Sequence, residues 1–138
     1  GMMCMKERRK AAQCIVRSHG RMYCVYNSKY NKFAPIGGKC DPGENIYSTL
    51  IREVKEEIGS GLNIKHIKKI GVHVRETATA IIDVHLFIMD IKKNLRYARA
   101  KEEFLDIIEL DFNFKYTDDN SYTSLVDIVE RINAYTNA

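Results

Sequence analysis

Apolar and polar residues along the chain alternate with two different periods, which predict strands and helices in a definite order. Period-two runs predict a hairpin over residues 11–17 and 22–26, turning at His19-Gly20, and later strands over 64–74, 79–91 and 104–110. Helical periodicity covers residues 45–58, ended by Gly59, and residues 121–135. The order strands, helix, strands, helix favours a mixed β-sheet with helices on its faces.

Residues 33–43 interrupt this pattern between the first hairpin and the first helix. They hold both prolines of the chain, Pro35 and Pro42, and several of its glycines. Proline and glycine are typical of tight turns, so we expect this segment to form an ordered, sharply turning loop.

Length and composition predict a single soluble domain over residues 1–138. Hydrophobic residues make up 45% of the chain and charged residues 29%, as in ordinary globular proteins. No apolar run approaches the ~20 residues that a membrane span requires, and no membrane partner is expected. Four cysteines show no metal-binding spacing. A two-residue turn would place Cys14 and Cys24 on opposite sheet faces, so we expect free thiols and a cytoplasmic location.

The net charge of +4 comes partly from basic residues near the start of the chain, Lys6, Arg8, Arg9 and Lys10. We expect them to form a solvated arm rather than a nucleic-acid site, because short basic runs are usually solvent-exposed. A positive surplus would still attract an anionic substrate.

Three carboxylates crowd into one turn of the first predicted helix. Like charges three or four residues apart repel one another, which points to a cation between them. With Glu53 at zero on a helical wheel, Glu57 lies near about 40° and Glu56 near about −60°. They therefore border the apolar stripe instead of opposing it. Carboxylate oxygens in that position suit a hard divalent cation.

The neighbours of these acids each have a recognisable chemistry. Arg52 keeps its charge and can hold carboxylates in a bidentate fork, so its expected task is orientation. Glu44 at the helix entrance is placed to pair with Arg52 and tie the loop to the helix. Gly37 and Gly38 allow a main-chain carbonyl or a phosphate to approach closely.

The spacing of these residues resembles the motif of the Nudix hydrolase superfamily, and of its MutT-like members in particular. The matching positions are Gly38, Glu44, Arg52, Glu53, Val54, Glu56, Glu57 and Gly59. Ser60 departs from the aliphatic residue of the motif. Upstream, residues 33–38 look like the family's approach to the motif. Downstream, residues 104–110 are similar to a family strand that ends in Glu-Leu.

This resemblance implies an α/β/α sandwich around a mixed sheet and hydrolysis of a nucleoside diphosphate linked to another group. Mg²⁺ (or Mn²⁺) would be held by Glu53, Glu56 and Glu57, with the Gly38 carbonyl as a further ligand. The general base would be Glu53 or Glu103, and Arg52 and Glu44 would complete the catalytic set. The absence of proline beyond Pro42 argues against the ADP-ribose branch, and the short chain looks like the nucleoside triphosphate pyrophosphohydrolases.

Substrate contacts are less well defined by the sequence. Phe33 could stack on a base or lie in the core. Asn120 could read a purine edge or stabilise a turn. His73 and His85 could touch substrate or be hydrogen-bonded within the fold.

Two functions remain open at this point. The first is a Mg²⁺-dependent pyrophosphohydrolase that acts on a nucleotide. The second is a Nudix-like domain that binds or senses a nucleotide without turnover. The intact acidic set favours the enzyme. RNA 5′-end processing has only the basic N-terminus in its favour. Length and charge leave monomer and homodimer both open.

Overall fold

Residues 5–136, which the computed structural model describes, form seven strands and two helices. The elements in chain order are β1 (Glu7–Ser18), β2 (Arg21–Asn27), β3 (Lys32–Ala34), β4 (Ile36–Lys39), α1 (Ile46–Ile58), β5 (Ile64–Glu76), β6 (Ala80–Ile91), β7 (Leu105–Glu109) and α2 (Thr123–Thr136). Each element predicted from periodicity is present, with ends displaced by a few residues.

The strands join into one mixed sheet in the order β3-β2-β1-β6-β5, with β7 added to β2. Strands β1 and β6 run parallel, and the other pairs are antiparallel. The predicted hairpin is confirmed, because Ser18 pairs with Arg21 around a two-residue turn.

Strand β1 pairs with two different strands along the same edge, so the sheet divides there into two branches, a division that we call the fork. Residues 11–14 pair with β4, whereas residues 16–18 pair with β2. The space between β2 and β4 therefore lacks a continuous ladder. A cleft lies at this fork and is lined by residues of both sheet branches.

Each face of the sheet is covered by a helix over a separate core. Side chains beneath α1 include Cys14, Val25 and Phe87, whereas those beneath α2 include Cys24 and Ile15. Because Cys14 and Cys24 lie in different cores, the expectation that they face opposite ways is confirmed. The layers form the expected α/β/α sandwich.

Two sequence-based expectations about local structure were wrong. Residues 33–43 are not entirely loop, because β3 and β4 occupy most of them, separated at Pro35, which lacks a ladder N–H. The basic residues near the start do not form an arm. Their side chains are exposed, but Arg8, Arg9 and Lys10 are part of β1 and Lys6 immediately precedes it. Arg8 donates to both carboxylate oxygens of Asp83 on β6, at 2.9 and 3.0 Å.

Candidate active site

Helix α1 presents the acidic residues from a firmly anchored position. Leu50, Val54 and Ile58 are buried in the core beneath the helix. Asn45 caps the N-terminus through its side-chain oxygen, which accepts the Tyr47 N–H at 2.8 Å. Gly59, with φ of 95°, ends the helix. The acidic side chains therefore project from a helix that is fixed at both ends.

Arg52 is the centre of a charged network that joins the preceding loop to α1. Its Nε and Nη2 donate to the two Glu44 oxygens, each at 2.9 Å, as the sequence predicts. Its Nη1 donates to Glu53 at 3.0 Å and to Glu56 at 3.2 Å. The guanidinium thus holds three carboxylates at once.

Glu44 is fixed as an anion by this network. Arg52, the Thr49 hydroxyl at 2.6 Å and the Asp41 N–H at 3.1 Å all donate to its carboxylate. These donors, Arg52 first, lower the pKa of Glu44 to about 2. Glu44 therefore holds the loop before α1 in place and remains ionised at physiological pH.

Glu57 is buried, with 6% of its surface exposed. Burial, reinforced by neighbouring glutamates, raises its pKa to about 8, although the Gly37 N–H donates to Oε2 at 2.7 Å and opposes the shift. Gly37 has φ of 144°, and a Cβ there would lie 2.2 Å from the Ala12 carbonyl oxygen. Only glycine fits this position, so Gly37 positions Glu57 through its main chain.

Glu53 rests against Gly38. A Cβ on Gly38 would lie 2.5 Å from the Glu53 carboxyl carbon and 2.7 Å from both of its oxygens. The missing side chain is thus the space that the carboxylate fills. Burial, and then the nearby Glu56, raises the pKa of Glu53.

The donor set fits a hard divalent cation, although it is not arranged as a closed cage. Glu53 lies against Gly38, and Glu57 accepts from the neighbouring Gly37 N–H. Glu56 shares Arg52 with Glu53, and all three acids offer the carboxylate oxygens that Mg²⁺ prefers. Within the described part of the chain, no three His, Cys, Asp or Glu side chains already share metal-binding geometry. Arg52 draws Glu53 and Glu56 toward itself, so a cation would have to compete with that ion pairing.

A further acid lies near this group, and it is Glu102 instead of Glu103. Glu102 lines the cleft together with Glu57, and its charge contributes to the raised pKa values of Glu53 and Glu57. Glu103 is exposed and is not part of the cleft wall. The loop before β7 has no periodicity, so the sequence could not distinguish the two neighbours.

The cleft at the sheet fork has a volume of about 420 Å³ and adjoins Glu57. Polar and charged residues from several elements line it, among them Gln13, Asn27, Lys32, Arg75, Asp118 and Thr123. Sequence reasoning missed Gln13, which stands inside an apolar strand. A polar residue within this apolar run was the feature of the sequence that could have indicated a functional position.

Phe33, which the sequence left open as a base-stacking or a core residue, does not line the cleft. Its ring packs with Tyr26, Phe114 and Tyr116 at centroid distances of 5.0, 5.6 and 5.4 Å. Its neighbours Lys32 and Ala34 line the cleft instead. Side chains alternate along a strand, so Phe33 points to the other face.

Asn120, for which the sequence left a purine contact and a turn role open, makes hydrogen bonds within a turn. Its side-chain oxygen accepts from the Thr117 N–H at 2.9 Å and from the Ser121 hydroxyl at 2.6 Å. Its amide nitrogen donates to the Lys115 carbonyl at 3.0 Å. These bonds engage the amide within its own turn.

The two candidate histidines differ in their surroundings. His73 is hydrogen-bonded to Asp127 and Thr123. The Nδ1 atom of His85 is buried without a hydrogen-bond partner among residues 5–136, and burial lowers the pKa of this side chain.

Comparison with known proteins supplies the family. Residues 6–122 match the NUDIX domain family. No curated protein matches the sequence.

Three solved structures illustrate the shared fold. The MutT NUDIX hydrolase of Burkholderia pseudomallei superposes with a TM-score of 0.75 at 13% identity, covering 92% of this chain and 99% of that one. The E. coli ORF135 protein superposes with a TM-score of 0.73 at 17% identity, covering 99% of this chain and 96% of that one. The MutT protein of methicillin-resistant Staphylococcus aureus 252 superposes with a TM-score of 0.66 at 22% identity, covering 95% of this chain and 99% of that one.

The family match spans the sheet, α1 and the acidic network described above. It confirms the resemblance seen in the spacing of Gly38, Glu44, Arg52 and the three glutamates. The chain belongs to the NUDIX domain family and is a hydrolase that acts on pyrophosphate bonds.

Proposed function

We propose that this single domain hydrolyses a nucleoside triphosphate, or a related nucleoside diphosphate derivative, in a reaction that depends on Mg²⁺ or Mn²⁺. The observation that carries the proposal is the contact between the acidic helix and the cleft. Glu57 belongs to both, so a diphosphate at the acids would place its nucleoside in the cleft.

The cation would be held by Glu53, Glu56 and Glu57, with the Gly38 carbonyl as a further oxygen ligand. When bound, it would supply charge neutralisation at the phosphates and activation of water. Arg52 keeps the carboxylates oriented, because it donates to Glu44, Glu53 and Glu56 together. Lys32 and Arg75 on the cleft wall would attract the anionic substrate.

The proton of the attacking water needs an acceptor, and Glu53 is our choice. Arg52 donates to its carboxylate at 3.0 Å and Gly38 leaves room for it, so this group is held in a fixed position at the proposed cation site. Water attack on phosphorus breaks the bridging P–O bond, and pyrophosphate leaves when the substrate is a triphosphate. Glu102 is the second candidate for this step, in place of Glu103, because it shares the cleft with Glu57.

The triphosphate assignment is supported by likeness to structures described as MutT proteins. A cytoplasmic location is supported by Cys14 and Cys24, which lie as free thiols in separate cores. No helix within residues 5–136 is long and apolar enough to cross a membrane. We propose no nucleic-acid partner and leave the assembly as monomer or homodimer.

A nucleotide panel tests the proposal. Purified protein is incubated with nucleoside triphosphates and dinucleotide derivatives in Mg²⁺, in Mn²⁺ and in excess chelator, and products are separated by ion-exchange chromatography. We expect a nucleoside monophosphate and pyrophosphate from at least one triphosphate, with no release in chelator. Tight nucleotide binding without any turnover would instead support the binding or sensor function.

A further inference from the structure

The loop of residues 94–104, between β6 and β7, carries Glu102 to the cleft. Glu102 lines the cleft with Glu57, and its charge contributes to the raised pKa values of Glu53 and Glu57. The side chain of Glu102 is itself exposed. Its place beside the other acids therefore depends on how the main chain of the loop is held.

Lys93, directly before this loop, binds the C-terminal end of α1. Its Nζ donates to the Ser60 carbonyl at 2.9 Å and to the Ile58 carbonyl at 3.3 Å. The last carbonyls of a helix have no partner within the helix, and a lysine there also meets the negative end of the helix dipole. Lys93 therefore ties the loop to the same helix that carries the acidic residues.

A second contact brings the loop onto α1 one residue before Glu102. The Lys101 N–H donates to the Glu57 carbonyl at 2.7 Å. Gly59 leaves room for this approach, because a Cβ there would lie 3.0 Å from Lys101 Cε and 3.3 Å from Lys93 Nζ. Both lysines thus lie against the residue that ends α1, and one hydrogen bond joins the main chain next to Glu102 to that of Glu57.

The loop is held again directly after Glu102. Phe104 has φ of 67°, a left-handed conformation that is rare for a bulky residue. Its carbonyl accepts from the Ser28 N–H at 2.9 Å and from the Ser28 hydroxyl at 3.2 Å. The Leu105 N–H donates to the Glu102 carbonyl at 3.4 Å, which closes a tight turn. A strained backbone of this kind persists only where its surroundings enforce it, so the position of the turn is specified by the fold.

The main chain at the start of the loop is fixed without the Lys93 side chain. The Lys92 N–H donates to the Asn63 carbonyl at 3.0 Å, and the Lys93 N–H donates to the Leu62 carbonyl at 3.2 Å. Leu95 is buried in the core beneath α1. The Lys93 ammonium can therefore be removed with the end of β6 and its anchor in the core left intact.

We propose that Lys93 is a positioning residue for hydrolysis: it holds the loop on the end of α1 and so places the Glu102 carboxylate beside the acids of that helix. This rests on the hydrolase function proposed above and adds to it a residue that lies outside the cleft wall. A further carboxylate at this point strengthens the oxygen-rich site for a divalent cation and provides a second acceptor for a water proton. Displacing such a group by about 1 Å can reduce the rate a hundredfold.

A double-mutant cycle tests whether Lys93 acts through Glu102. The kcat with Mg²⁺ is measured for wild type, Lys93→Met, Glu102→Gln and the double variant. Methionine keeps the apolar part of the lysine side chain but cannot donate a hydrogen bond. We expect each single variant to lower kcat by at least about tenfold, and the double variant to be no slower than Glu102→Gln alone.

The same cycle distinguishes positioning from general damage. Lys93→Arg should restore most of the activity, because its guanidinium can donate to the same two carbonyls. A loss caused only by a weakened fold would be equally large in the Glu102→Gln background. Equal losses in both backgrounds, or wild-type kcat in Lys93→Met, would overturn the proposal.

Hydrogen exchange measures the contact between loop and helix without any need for turnover. The Lys101 amide should exchange at least about tenfold faster in Lys93→Met than in wild type, because the loop opens more often. Lys92→Met, which removes the exposed neighbouring lysine, is the matched control and should show wild-type exchange and kcat. Unchanged exchange of the Lys101 amide in Lys93→Met would contradict the role of Lys93.

Failure of the proposed hydrolase function would give a different result. If no nucleotide is turned over, Mn²⁺ binding measured by electron paramagnetic resonance replaces kcat in the same cycle. Weaker Mn²⁺ binding in Lys93→Met and Glu102→Gln, with no further loss in the double variant, would support the positioning of Glu102 without the enzyme function. Additive losses, wild-type affinity in Lys93→Met, or no Mn²⁺ binding by wild type would overturn the inference.

Discussion

At the residue scale, two adjacent glycines determine where the acidic side chains lie. Gly37 offers its N–H to Glu57, and Gly38 leaves room for the Glu53 carboxylate. Sequence reasoning predicted that these glycines allow close approach. It did not reveal that the approaching groups are glutamates of α1, because that contact depends on how β4 packs against the helix.

Gly38→Ala tests the cradle. The new Cβ would displace the Glu53 carboxylate, whose flexible end can move without unfolding the chain, so we expect a loss of about a hundredfold in kcat/KM. Gly20→Ala is the control: its φ of 74° is strained for alanine, yet no atom crowds it. It should cost about 1 kcal/mol of stability with activity unchanged. Wild-type activity in Gly38→Ala would contradict the requirement that residue 38 leave room for the Glu53 carboxylate.

Glu57 gives the metal-free protein a distinctive pH dependence. Its folded pKa of about 8 exceeds the ordinary 4.5, so its stabilising contribution is complete below pH 4.5 and is lost as pH rises through 8. Urea unfolding of wild type and Glu57→Gln should show the variant gaining on wild type by up to about 1.4 kcal/mol per pH unit across this window. Parallel stability curves would show that Glu57 has an ordinary pKa.

At the element scale, periodicity predicted the helices and the long strands but not where every side chain lies in the fold. The sequence placed Phe33 in a loop, and only the structure shows that it lies on β3, facing opposite to the cleft-lining Lys32 and Ala34. Glu102 and Glu103 were indistinguishable, because their loop is positioned by tertiary contacts such as the Lys101 N–H donating to the Glu57 carbonyl at 2.7 Å. The pairing of Glu44 with Arg52 was predictable, because Glu44 lies at the entrance of α1 and Arg52 lies about two turns into the helix.

The start of α1 can be tested through its cap. Asn45→Ala removes the acceptor for the Tyr47 N–H and should lower the free energy of unfolding by about 1 kcal/mol, whereas Asn45→Asp should retain most of it. Chemical denaturation monitored by circular dichroism measures both. Equal stability of wild type and Asn45→Ala would show that the N-cap contributes nothing to the anchoring of the acidic helix.

At the scale of the whole molecule, one strand joins the two functional regions. β1 pairs with β4 near the acids and with β2 beyond them, so the fork in the sheet becomes the cleft wall. The layer order was predictable from the succession of elements. The fork was not, because the change of partner along β1 has no signature in local sequence.

The two cores predict the reactivity of the thiols. Cys14 and Cys24 are fully buried, and burial raises the pKa of Cys24 to about 12 and that of Cys14 well above its usual value. We expect both to react with a thiol reagent only at the rate of global unfolding, while the partly exposed Cys40 reacts in the native state. Peptide mass spectrometry distinguishes them. Rapid native labelling of Cys14 or Cys24 would contradict the two-core packing.

The most direct measurement for the whole account is the kcat/KM for pyrophosphate release with Mg²⁺ in wild type, Glu57→Gln and Glu130→Gln. Glu57 joins the acidic helix to the cleft, whereas Glu130 is an exposed residue of α2. We expect kcat/KM to fall by at least about two decades in Glu57→Gln and to stay unchanged in Glu130→Gln, with both variants folded. Wild-type activity in folded Glu57→Gln would contradict the proposed site.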